Sequence, residues 1–178
     1  MTQTPLELVR TDVSLTETDH VRGDVAAPIT LLVYGEFECP DCGRAFHTIQ
    51  EILDEMPGEV RFAFRHFARD DVHPFSVRSA EAAEAAGAQG HFWEMHDFLF
   101  THQHSLEYSD LLVHAAKLGL DVERFQRELT GRVHRDKVEA DLASGVSNGV
   151  TSTPTFFING TRYQGSNNRD ELKDALRA

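Results

Sequence analysis

Cys39-Pro40-Asp41-Cys42 contains both cysteines of the chain. The pair follows an apolar run, Ile29 to Tyr34, and opens a helical pattern that reaches Met56. The thiolate is the nucleophile of disulfide exchange, and a free thiol with a pKa of about 8.5 supplies little of it at neutral pH. At a helix N-terminus, unpaired N–H groups and the helix dipole favour negative charge. Cys39 is therefore expected at or just before the first turn, exposed and activated. Cys42, one turn deeper, is placed to resolve a mixed disulfide. Pro40 suits a first helical turn.

Other chemistries fit the pair less well. A CxxC is half of a four-ligand zinc site, but there is no second CxxC, and none of the ten histidines shows a matching paired spacing near this turn. Two inert structural cysteines would rarely flank Pro-Asp at a strand-to-helix junction. Far downstream, Thr153-Pro154 precedes the apolar run Thr155 to Ile158. An ordinary trans proline opening an edge strand is one reading. Beside a CxxC, a cis bond is the expected one, with the Thr153 backbone presented to an extended substrate as a short strand.

The elements that must position these residues follow from pattern. Ile29–Tyr34 is nearly all apolar, as a central strand buried on both faces should be. Ala45, Phe46, Ile49, Ile52, Leu53 and Met56 recur at helical spacing, and Pro57-Gly58 ends that helix. Residues 59–67 alternate with period two, a strand. From about Pro74 to Ser147 the pattern is helical, with Ser109 and Asp121 expected as N-caps. Thr155–Ile158, the turn Asn159-Gly160 and 161–164 read as a type I′ hairpin, and a last helix runs from about Arg169 to Leu176. Residues 1–18 form an arm with weak alternation at Leu6 to Val9. The expected whole is one α/β domain: core segments 19–67 and 148–178, with a helical block, 74–147, inserted between its βαβ and ββα halves.

Composition limits the partners. With 17 basic and 29 acidic residues the net charge is −12, which disfavours nucleic acid and anionic membrane surfaces. No apolar stretch is long enough to span a bilayer. The first twenty residues lack the basic and apolar regions of a signal peptide, so the expectation is a cytoplasmic protein, or a periplasmic one if the chain is a mature form. Neither a metal nor an organic cofactor is expected.

The segments YGEFECPDCGRAF (34–46), FRHF (64–67), HFWEMHDFLF (91–100) and GVTSTPTFFINGTRYQG (149–165) together resemble the DsbA family of thioredoxin-like proteins. They are most similar to the DSBA-like thioredoxin domains found alone in bacteria or fused to sodium/proton antiporters. The resemblance runs from about Asp19 to the C-terminus. It implies a thioredoxin fold with an inserted helical subdomain, Cys39 as nucleophile, Cys42 as resolving cysteine, and Pro154 as cis-proline with Thr153 before it. It also implies protein or peptide thiols and disulfides as substrates, with glutathione or a thioredoxin-type reductant as possible redox partners. By analogy, Phe37, Val150 and Thr153 form a substrate-facing rim, although a core role fits Phe37 and Val150 equally.

Two departures from the family pattern matter. The family's buried acid lies six residues before the first cysteine, where this chain has Val33. Glu36 and Glu38 are nearby, but charged residues are usually solvated. Asp41 stands where DsbA has histidine, and its charge should raise the neighbouring thiol's pKa. The nucleophile is thus expected to be less acidic, and its disulfide less oxidising, than in the strongest oxidases. His91, His96, His102 and His104 read as surface or capping residues, and Phe92, Trp93, Phe98 and Phe100 as core. Two rival functions stay open: a FrnE-like or kappa-class glutathione-transferase-like enzyme, which would not need Cys42, and a non-catalytic binding module.

Overall fold

The computed structural model describes residues 13–178; the alternation at Leu6 to Val9 lies outside them. In chain order the elements are β1 (His20–Arg22), β2 (Ile29–Gly35), α1 (Pro40–Glu55), β3 (Val60–His66), α2 (Ser76–Gly87), α3 (Phe92–Thr101), α4 (Tyr108–Lys117), α5 (Val122–Thr130), α6 (Arg135–Ser147), β4 (Thr155–Ile158), β5 (Thr161–Tyr163) and α7 (Arg169–Arg177). The strands form one sheet in the order β1-β3-β2-β4-β5. β2 is parallel to β3 and antiparallel to β4, while β1 and β5 run antiparallel at the two edges. A βαβ half and a ββα half thus share a sheet, and α2 to α6 are inserted between them. This is the thioredoxin fold with a helical insertion.

The apolar run of β2 has the expected consequence. Leu31 and Val33 point into one core with α1, α2 and α3, whereas Leu32 and Tyr34 point into a second core with Ala63, Phe67, Val150 and Phe157. Asn159 and Gly160 both have positive φ, 47° and 83°, as the I′ turn between β4 and β5 requires. Ends of elements differ from the expectation by a residue or two. α4 is capped by Glu107 rather than Ser109, because Glu107 and Asp110 form a reciprocal capping box. α6 starts at Arg135 rather than Val133, since Arg132 takes a left-handed φ of 52° and breaks the chain direction there.

Polar ties fasten the inserted helices to the sheet. Glu84 on α2 is buried and accepts from His20 on β1 (2.9 Å) and His66 on β3 (2.8 Å). Both histidines oppose its burial and hold its carboxyl well below the ordinary range. Arg22 pairs with Asp97 at 2.8 Å and lies over the Trp93 ring. Four alanines of α2, at 82, 83, 85 and 86, are fully buried, and such short side chains let neighbouring helices approach closely. On the opposite face Gly145 does the same for α6. A Cβ there would stand 2.6 Å from the Phe67 ring.

Beneath α6 lies a buried ion pair. Arg65 donates two hydrogen bonds of 2.7 Å to Asp19, one of 2.8 Å to Tyr34 Oη and one of 2.9 Å to the Ser14 carbonyl. Burial alone would raise the Asp19 carboxyl, but Arg65 and the Thr16 N–H outweigh it and hold the group below its ordinary value. Removing one partner of such a pair leaves the other charged and dry. Arg65→Met should therefore lose about 3–5 kcal/mol of unfolding free energy in urea at pH 7. Because the Asp19 pKa is depressed on folding, its contribution is present above its unfolded pKa of about 3.9 and fades as pH falls below that. The gap between wild type and variant should shrink along the same acid limb. A loss under about 1 kcal/mol at pH 7 would place this pair among ordinary surface bridges.

Candidate functional site

The C-terminal end of β2 delivers the chain into α1 through Glu36, Phe37 and Glu38. Cys39 is the N-cap of α1, with extended φ −70° and ψ 121°, and Pro40 occupies the first helical position. A capping side chain must accept from a first-turn N–H. Here that acceptor is sulfur: Cys39 Sγ takes the Cys42 N–H at 3.3 Å. Across the cleft, Cys39 Sγ lies 3.7 Å from the Thr153 carbonyl oxygen. The Thr153–Pro154 peptide bond is cis.

The two sulfurs have opposite electrostatics. The Cys42 thiol, donating to the Cys39 sulfur, is the main influence lowering Cys39 to about 5, against the opposing cost of burial and with smaller help from Thr153, the Cys42 N–H and the charge of His73. Burial pushes the Cys42 thiol well above its ordinary value. Both cysteines are free thiols. Cys39 is less open than expected, with 5% of its surface exposed. Asp41 is not among the main influences on Cys39. It is exposed and pairs with Arg44 one turn on, so its charge is answered locally.

Two clefts flank the Ser152–Pro154 segment. One of about 350 Å³ is bordered by Cys39, Glu36, His73, Arg69, Val72 and Thr153. The other, of about 640 Å³, is bordered by Asp41, Pro154, Thr155, Arg162, Tyr163 and Asn167. The structure thus gathers Cys39, Cys42, Pro40, Asp41, Thr153 and Pro154. Phe37 and Val150 are not part of this rim. Phe37 is fully buried, its ring packed on Phe64 and Phe100. Val150 closes the end of α6, its N–H bonded to the Gly145 carbonyl, and its side chain faces the second core.

Other residues reach the site unannounced by the sequence. Gln103, in the loop after α3, donates to the carbonyls of Phe37 (2.8 Å) and Cys39 (2.9 Å). Its approach requires Gly43, where a Cβ would lie 2.3 Å from the Gln103 amide oxygen. Glu36 is buried rather than solvated, with its carboxylate against His73 Nδ1. Glu38 does stay near the surface, where it accepts from the Phe75 N–H. His96 is also buried, contrary to expectation. Its ring sits among Phe64, Trp93 and Phe100, and Asp97 accepts from its Nδ1 at 2.8 Å. That desolvation lowers its pKa to about 4 and keeps it neutral. Of the metal-ligating side chains described, His66, Glu84 and Asp141 bring ligand atoms within 4.8 Å of one another. Each already has a protein partner: Glu84 for His66, and Lys137 for Asp141.

Comparison with known proteins places this geometry. The family model described as thioredoxin matches residues 15–178. The Na(+)/H(+) antiporter NhaA 1 of Salinispora arenicola is 46% identical over 158 residues. The match covers 89% of this chain and 24% of the antiporter, so the chain spans about a quarter of the length of such relatives. A thioredoxin-like oxidoreductase from Silicibacter pomeroyi superposes with a TM-score of 0.81 at 25% identity, covering 91% of this chain and 92% of the other. Wolbachia pipientis alpha-DsbA1 superposes with a TM-score of 0.77 at 22% identity, covering 92% and 91%. A dithiol capping α1 thus faces a proline loop on a sheet with inserted helices, the fold shared with alpha-DsbA1, in a chain that belongs to the thioredoxin family.

Proposed function

We propose that the chain is a thiol–disulfide oxidoreductase acting on protein or peptide thiols and disulfides through Cys39 and Cys42. The observation that carries this reading is the placement of the two sulfurs: Cys39 Sγ caps α1, accepts the Cys42 N–H and faces the Thr153–Pro154 turn, while Cys42 is buried one helical turn on. At pH 7 a thiol with a pKa of about 5 is almost wholly ionised. Cys39 attacks a substrate disulfide, or the oxidised pair accepts a substrate thiol at Cys39. Cys42 then resolves the mixed disulfide. The Thr153 backbone beside Cys39 Sγ offers an extended substrate a strand-like docking edge. Glutathione or a thioredoxin-type protein would recycle the pair. Neither metal nor organic cofactor takes part in this scheme.

The dithiol requirement separates this reading from its rivals. Cys39→Ser should abolish dithiothreitol-driven insulin reduction. Cys42→Ser should cut turnover while trapping a Cys39-linked mixed disulfide visible by mass spectrometry. A glutathione transferase would keep its activity in Cys42→Ser, and a binding module would show equal background rates in all three proteins.

Acidity and redox potential should also move together. Titration of thiolate absorbance in the reduced protein should give an apparent pKa of about 5 for Cys39, with no second thiolate until strongly alkaline pH. That acidity lies between about 7 for thioredoxin and about 3.5 for DsbA. The disulfide should accordingly poise between about −270 and −120 mV. A first thiolate appearing only above pH 7 would refute the activated-nucleophile reading.

A further inference from the structure

In the reducing direction the Cys39 thiolate attacks a substrate S–S bond. A Cys39–substrate disulfide forms, and the first substrate sulfur leaves as a thiolate. Cys42 must next lose its proton and attack Cys39 Sγ. The Cys39–Cys42 bond forms, the mixed disulfide breaks, and the second substrate sulfur leaves with the electron pair. Two electrons thus pass from the dithiol to the substrate, and the Cys42 proton has to leave the buried sulfur for the water of the cleft, where a basic departing thiolate can take it up. Cys42 is buried, and Val33 provides no acid on the strand beside it.

We propose that Glu36 and His73 form the proton path of this dithiol, Glu36 taking the proton from Cys42 and His73 passing it out to the water of the cleft. The proposal rests on the oxidoreductase reading above. Glu36 straddles the pair: its backbone N–H lies beside the Cys42 sulfur, its carboxyl is close enough to Cys39 to feel that sulfur's charge, and the residue borders the same cleft as Cys39. It is 3% exposed, and neither carboxylate oxygen has a well-aligned hydrogen bond. His73 Nδ1 contacts one of those oxygens, and the His73 side chain is 30% exposed at the cleft wall beside Thr153. The Glu36 end of the pair is therefore dry and near the dithiol, and the His73 end is partly wet.

The groups facing Glu36 are Cys39 at the N-cap of α1, His73 in the connection before α2, the Ser76 hydroxyl at the start of α2, and the cleft residues Arg69 and Asp41. Arg69 is paired with Asp71, and Asp41 with Arg44. Glu38 is engaged with the Phe75 N–H. Burial raises the Glu36 carboxyl, opposed by Ser76 and His73. A raised carboxyl both accepts and releases a proton closer to neutral pH than an exposed one.

Stopped-flow reaction with a small aromatic disulfide tests the path. It releases one coloured thiolate on mixed-disulfide formation and a second on resolution. In wild type the second phase should slow as pH falls through the raised Glu36 pKa. Glu36→Gln should still show the first phase, slow the second about 100-fold and lose that acid limb. Glu36→Asp should restore part of the rate, and His73→Ala should slow the second phase while the limb persists. Thermal melts of each variant check the fold. A second phase of wild-type rate and pH profile in both Glu36→Gln and His73→Ala would overturn the proton path alone. A missing first phase in wild type would overturn the oxidoreductase reading and the path with it.

Discussion

Cys42 facing Cys39 Sγ, with its N–H and its thiol, is the contact on which the site depends. A helix N-terminus leaves N–H groups without partners, and a serine, threonine or aspartate oxygen usually answers them. Here a sulfur at 3.3 Å takes that place. A thiolate accepts this bond better than a thiol, so the same contact that starts α1 also acidifies Cys39. Helix capping thus contributes to the acidity of Cys39, beside the larger effect of the Cys42 thiol. β2 matters because it fixes where α1 begins: a strand buried on both faces cannot slip without moving Leu31 and Val33 out of one core and Leu32 and Tyr34 out of the other.

The inserted helices are part of this arrangement, not an appendage. Gln103 comes from the loop following α3 and holds the two carbonyls that flank Glu38, at Phe37 and Cys39. His73 arrives from the connection between β3 and α2. Glu84, Arg22 and Trp93 bind the block to β1 and β3, so these loops are referenced to the sheet that also carries the Thr153 loop. The close approach at Gly43 shows how little slack remains.

What the sequence made legible were features whose physics is local. The apolar run Ile29–Tyr34, the helical spacing from Ala45 to Met56, the Asn159-Gly160 turn and the Asp121 cap each depend on a few neighbouring residues, and each stands where its pattern put it. Burial of single polar or aromatic side chains was harder to read. Phe37 could face a cleft or a core, and only the packing of Phe64 and Phe100 from β3 and α3 decides it. His96 did carry a local signal: Phe92, Trp93 and Phe100, read as core, stand three or four residues away on the same helix face, and those rings enclose it. Glu36 offered one signal, an acid directly continuing a buried strand into the cysteines. Its partner His73 is 37 positions away in the chain, beyond the reach of pattern.

The replacement of an acid by Val33 ties these points together. Val33 lies in the same apolar core as Cys42, so the wall behind that sulfur is hydrocarbon. Such a wall disfavours a thiolate at Cys42 and leaves the negative charge of the pair on Cys39, where the helix N-terminus receives it. An ionised acid placed behind Cys42 would need its own solvation inside that core, at a cost of several kcal/mol. Carried instead on the turn leaving β2, the carboxylate of Glu36 has a half-exposed histidine within contact distance. The apolar strand position and the buried loop acid are thus two halves of one solution: they keep the dithiol asymmetric while leaving an ionisable group at its open side.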